Sequence, residues 1–114
     1  MAYQKLKPGG ELILGTPNGE SLVAKVAKQY WYNLDCPRHL FIYSPKTLSR
    51  LAVAFGFTDP KIEFYSAGGW IGSFQYFLQF DLINRPWLVM LVYPWEWILD
   101  RIGIGDVFIL RVKK

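Results

Sequence analysis

Sulfur and imidazole chemistry are nearly missing from this chain, which holds one cysteine, Cys36, and one histidine, His39. A lone cysteine excludes an internal disulfide and fits a reducing, cytoplasmic compartment. One of each is too few for a typical zinc site. No partner pattern around Cys36 marks a nucleophile, so it reads as inert. Charge is also sparse: 19% of residues are charged, against 52% hydrophobic and 18% aromatic. That balance excludes a disordered chain. Met1 to Lys7 is polar and runs into a turn, without a signal-peptide pattern. No internal repeat or low-complexity tract appears. The net charge is +4, but the bases are scattered and only Arg111, Lys113 and Lys114 cluster. With no RNP, zinc-finger or helix-turn-helix signature, the excess reads as solvated surface, and no nucleic-acid partner is expected.

What is present is enough for one domain with a core, since the chain has 114 residues. Pro8-Gly9-Gly10 predicts a tight turn, and Glu11 to Thr16, ended by Pro17, a short strand buried on both faces. Leu22, Val23, Val26, Ala27 and Tyr30 recur at helical spacing, with Asn18 or Ser21 as the cap. Trp31 to Tyr43 has no period and reads as a loop. Ser44-Pro45 is the strongest local signal: Ser44 suits an N-cap, and Pro45 suits the first helical position, where its missing N–H costs nothing. Leu48, Leu51, Ala52 and Phe55 form the expected buried stripe, Gly56 the stop, and Phe57 a return onto the last turn. Lys61 to Ser66 predicts a second strand and Asp106 to Val112 a third.

Between those strands, Gly68 to Gly105 holds four of the five tryptophans. Phe74, Phe77, Leu78 and Asp81-Leu82 predict one helix, which Asn84-Arg85-Pro86 breaks. Trp87 to Leu99 predicts another, kinked at Pro94. Its uncharged run, Trp87 to Trp95, is too short for a bilayer span, which takes roughly 20 apolar residues. Three readings stand: a lid over an apolar substrate, a helical pair covering the sheet edge, or an element in the membrane interface with Arg85 and Arg101 at headgroups. Lid or cover is preferred, because the apolar residues run all round the helix.

In order and spacing, Pro8-Gly9-Gly10, Pro17-Asn18, Trp31, Asp35, Pro37-Arg38-His39-Leu40, Ser44-Pro45-Lys46-Thr47-Leu48 and Gly56-Phe57 resemble the C-terminal half of class I S-adenosylmethionine-dependent methyltransferases. The resemblance is to the small-molecule group with PGG-strand-PN and PRHL motifs, and it covers nearly the whole chain. It implies an α/β fold: the last three strands of a Rossmann-like sheet, the final one antiparallel between the other two, plus helices and a helical aromatic insertion over 68–105. It also implies that the family's Gly-rich cofactor loop and acidic strand end precede this segment. Gly68-Gly69 and Gly103-Ile104-Gly105 do not replace them, since neither follows a buried strand and opens a helix in the G-x-G-x-x-G frame. S-adenosylmethionine is therefore the cofactor of the parent family. These 114 residues alone are expected to bind it poorly or not at all.

Four residues are candidates for the substrate side. Asn18 ends a strand, and strand carboxyl ends in open α/β sheets face the ligand crevice; the alternative is a turn or cap residue. His39, in a loop, is the candidate base that takes a proton from a hydroxyl or acid acceptor; the alternative is a loop brace. Arg38 would hold a carboxylate or phosphate, or else pair with Asp35. Trp31, with Tyr32, would wall a substrate pocket or else close the core. The implied function is the substrate-side part of a methyltransferase acting on a small or lipid-like molecule. The alternative is a non-catalytic α+β module that binds a partner or membrane surface through its aromatic insertion. Either way, exposed apolar surface would favour self-association.

Overall fold

The computed structural model describes residues 2–35, 38–66, 68–82 and 84–114. Cys36 and Pro37, singled out above, lie outside them. The elements are α1 (Ala2–Lys5), β1 (Glu11–Pro17), α2 (Leu22–Ala27), α3 (Pro45–Ala54), β2 (Thr58–Tyr65), α4 (Gly69–Leu78), α5 (Pro86–Arg101) and β3 (Val107–Lys113). Two 3-10 turns, Lys28–Tyr30 and Tyr32–Leu34, follow α2.

The three strands form one sheet in the order β1-β3-β2. β3 lies antiparallel between the other two, with Leu110 opposite Leu14 on one side and Ile62 on the other. This is the α/β arrangement expected from the sequence. Local chemistry explains its joints. Gly10 N donates to Lys7 O at 2.9 Å, and Gly9 has φ +76°. Proline and glycine thus fill the two central places of a type II turn. Ser44 Oγ accepts from Thr47 N at 3.2 Å, and Pro45 opens α3. Gly56, at φ +93°, reverses the chain so that Phe57 N reaches Ala52 O at 3.2 Å.

The core lies where α3 meets the sheet: Leu48, Ala52 and Phe57 pack with Phe108, Leu110 and Val112 of β3. Three expectations change here. β1 is not buried on both faces, and the most deeply buried strand is β3, whose Phe108, Leu110 and Val112 are fully enclosed while Ile109 and Arg111 are half-buried. In β1 burial alternates, and Ile13 is exposed, because successive side chains point to opposite faces and only the face of Leu12 and Leu14 packs toward the α3 core. Within the α3 stripe, Leu48 and Ala52 are buried while Leu51 and Phe55 stay half open. α4 ends at Gln79, which sits in the left-handed region at φ 52°, so Asp81 and Leu82 lie beyond the helix.

The carboxyl ends of β1 and β2 and the start of β3 meet at one end of the sheet, where Val107 pairs with both Pro17 and Tyr65. The α4–α5 insertion leaves and re-enters the sheet at that end.

Candidate functional site

Asn18 closes β1 and is 1% exposed. Its Nδ2 donates to Gly105 O at 2.9 Å, and its Oδ1 accepts from Glu20 N at 3.0 Å. Its own N–H donates to Asp106 O at 2.8 Å. Proposed from the sequence as a substrate contact, its amide is instead engaged within the protein. It ties the end of β1 to the start of β3, as the turn reading anticipates.

The loop after α2 is held at three places. Asn18 forms a bridge with Tyr43, and Gly19 N donates to Tyr43 O at 3.2 Å. Tyr32 N donates to Ser73 Oγ of α4 at 3.0 Å, and Asn33 Nδ2 donates to Asp106 Oδ2 at 2.9 Å. Between these anchors Arg38, His39, Leu40 and Phe41 are exposed. The Arg38 guanidinium pairs with Asp35 at 3.3 Å, a solvent-exposed contact worth about 0–1 kcal/mol. The His39 ring has no hydrogen-bond partner among the described residues.

Trp31 is buried, yet its Nε1 has no hydrogen-bond acceptor among the described residues. Buried indole N–H groups usually find one. A cavity of about 360 Å³ opens beside α2 and α4 and is walled by Tyr30, Trp70, Phe74 and Phe77, with Lys28 and Ser73 also lining it. Neither Trp31 nor Tyr32 lines it; Tyr32 stacks near Tyr76, at 5.5 Å between ring centres. Asn18, Arg38 and His39 do not line it either. The four sequence candidates therefore sit around one end of the sheet without sharing one pocket. A second, almost wholly apolar cavity of about 300 Å³ lies between α1, β1 and α3.

Three acidic residues were missed. Glu96, Asp100 and Asp106 converge where α4 starts, close under the anchored loop. Burial pushes the Glu96 carboxyl up to about 7, the Asp106 and Asp100 charges add to this, and the N–H groups of Trp70 and Gly68 oppose it. Burial also raises Asp100, against a hydrogen bond from Ser66 Oγ at 2.9 Å. The signal for Glu96 was its place as the one charge in the run from Trp87 to Leu99. Among the described residues no group of acidic, His or Cys side chains is arranged to hold a metal ion.

Gly69 follows β2 and opens α4, but β2 is largely exposed rather than buried and the glycines do not fall in the G-x-G-x-x-G frame. The space over Gly69 is filled by the Asp106 carboxylate, and the space over Gly105 by that of Asp100. A cofactor cradle needs open glycine backbone against the ligand. The described glycines at these junctions pack the chain's own carboxylates instead, so they do not fit S-adenosylmethionine.

A family model described as a methyltransferase domain matches residues 1–61, just over half of the chain. The chain belongs to this methyltransferase-domain family. Among solved structures, this methyltransferase-family chain is similar to a SAM-dependent methyltransferase from Archaeoglobus fulgidus, with a TM-score of 0.54 and 22% identity. The likeness covers 99% of this chain and 48% of that one, and it bears on fold alone. The family member described here spans about half the length of that neighbour. No curated protein matches it.

Proposed function

We propose that this chain is the substrate-side portion of an S-adenosylmethionine-dependent methyltransferase acting on a small or lipid-like acceptor. Cofactor binding on this reading belongs to residues other than these 114, and residues 68–105 form the insertion that borders the substrate. The observation that carries the reading is the sheet order β1-β3-β2, with its antiparallel centre, in a chain whose first half matches the methyltransferase domain.

The residues take the following parts. His39, on the exposed tip of a loop anchored at both ends, takes the proton from an acceptor hydroxyl or acid. Arg38 exchanges its weak partner Asp35 for an anionic group of the substrate. Asn18 holds the loop against the strand ends, so its contribution is to position the base. Trp31, buried and set back from the cavity, closes the core beneath the loop that carries His39. The aromatic cavity of Tyr30, Trp70, Phe74 and Phe77 suits an apolar body, which supports a lipid-like acceptor.

Reading the coding sequence upstream of the Met1 codon tests this. An open frame encoding a strand followed by Gly-x-Gly-x-Gly is expected. A nearby stop codon, with no such half encoded beside it, would remove the enzymatic reading.

A further inference from the structure

The longest helix of the chain is built inside out. A helix on a protein surface turns charge to water and apolar side chains inward. α5 does the reverse with its acids. Glu96 is 5% exposed and lies under α4, and Asp100 is half-buried against Ser66. The outward face carries Trp87, Met90, Leu91, Tyr93 and Ile98, with Met90 and Leu91 exposed by 76% and 70%. Within 85–101 the exposed charges are Arg85 and Arg101, one at each end. Their guanidinium groups stand over exposed rings, 4.7 Å from Phe80 and 4.0 Å from Trp97. Negative charge is thus turned in, and positive charge brackets an aromatic surface.

Chain that pairs with the edge of β1 would lie on the side of the sheet away from α5. α5 packs on α4 and β2, and β2 is the outer strand on the side away from β1.

We propose that the outward face of α5 is a peripheral membrane-binding surface. It lies in the interface of an anionic bilayer, with Arg85 and Arg101 on lipid phosphates. Charge complementarity selects this occupant, because every exposed charge on the segment is positive. Trp and Tyr suit the headgroup boundary, where one end of the ring is wet and the other apolar. Sixteen residues give a helix of about 24 Å. Among the described residues no helix is long and apolar enough to cross a membrane. Lying in the plane keeps both arginines at headgroup level, whereas an end-on entry would sink one of them into hydrocarbon. The inference goes beyond methyl transfer and does not depend on it.

The test is co-sedimentation of the full 114-residue chain with vesicles of phosphatidylcholine, with and without phosphatidylglycerol. Binding is expected to be tighter to the anionic vesicles, to weaken at about 1 M salt, and to shift tryptophan emission to the blue. Leu91→Glu is expected to lower partitioning by about tenfold or more. Met90→Glu should do the same, with circular dichroism used to check that both variants remain folded. Arg85→Gln with Arg101→Gln is expected to abolish the preference for anionic lipid. Absence of wild-type binding overturns the proposal, as do equal binding to both vesicle types or unchanged binding by both Glu variants. A lipid-free dimer that Leu91→Glu dissociates, with no vesicle binding, overturns it in favour of a second copy. A stop codon close upstream of the Met1 codon, with vesicle binding intact, counts against the proposed function alone.

Discussion

Glu96 accepts a hydrogen bond from the backbone N–H of Trp70, 3.4 Å away, and so serves the start of a helix that has no capping side chain of its own. Gly68 occupies the N-cap place of α4. A carboxyl group from α5 takes over that task, which locks the two helices of the insertion to each other. Its cost is a buried acid beside Asp106.

That cost is visible as pH dependence. Below pH 4.5 Glu96 is protonated in both folded and unfolded chains. Between 4.5 and about 7 the unfolded carboxyl ionises while the folded one keeps its proton. Stability therefore falls through this window and levels off above it. Glu96→Gln keeps an acceptor for Trp70 but removes the titration. From pH 4 to pH 8 the variant should gain on the wild type by up to about 3 kcal/mol. Asp100 is present in both proteins, so the difference reports Glu96 together with its coupling to Asp100 and Asp106. Urea unfolding across that range measures it, and parallel profiles would contradict the assignment.

Asn18→Ala should destabilise the chain by about 2 kcal/mol, because it strands the buried Gly105 carbonyl and the Glu20 N–H. Urea midpoints give the value. A loss below about 0.5 kcal/mol, the range of an ordinary surface change, would mean that the amide is not the clasp described.

Gly72→Ala should cost about 1–3 kcal/mol. The added methyl would collide with the Tyr32 ring, which lies directly over this glycine. The strain should also free the 31–43 loop from α4, read as faster proteolysis within that loop. Unchanged proteolysis would show that the ring moves aside without cost.

His39→Ala should leave stability within about 0.5 kcal/mol of wild type, since the side chain is exposed. In the enzyme assembled with its cofactor-binding portion, turnover should drop by about tenfold or more. A smaller drop, measured with saturating acceptor, would remove the base role and leave His39 as a loop residue.

Much of the fold was legible because its joints depend on local stereochemistry. The Pro8-Gly9 turn, the Ser44-Pro45 helix start and the Gly56 stop each follow from what one or two residues permit. Membership of the methyltransferase-domain family was legible too, and the family match covers 1–61. The site was less so. Whether Asn18 spends its amide on a ligand or on Gly105 depends on a residue 87 positions away. Nor does spacing tell that Gly69 leaves room for Asp106 rather than for a cofactor.

By itself the sequence determined the order of strands and helices and the joints at Pro8-Gly9, Ser44-Pro45 and Gly56, because caps and turns act over a few residues. Only the tertiary structure decided what each face meets. Glu11 to Thr16 reads as doubly buried, yet its burial alternates, since which faces are covered depends on the elements packed above and below the sheet. In α5 apolar residues run through the whole segment, so periodicity does not distinguish one side from another. Packing against α4 and β2 made that choice: it took Glu96 and Leu99 inside and left Met90 and Leu91 outside. The physical reason is that burial is a relation between elements distant in the chain, and such a relation is not written in local spacing.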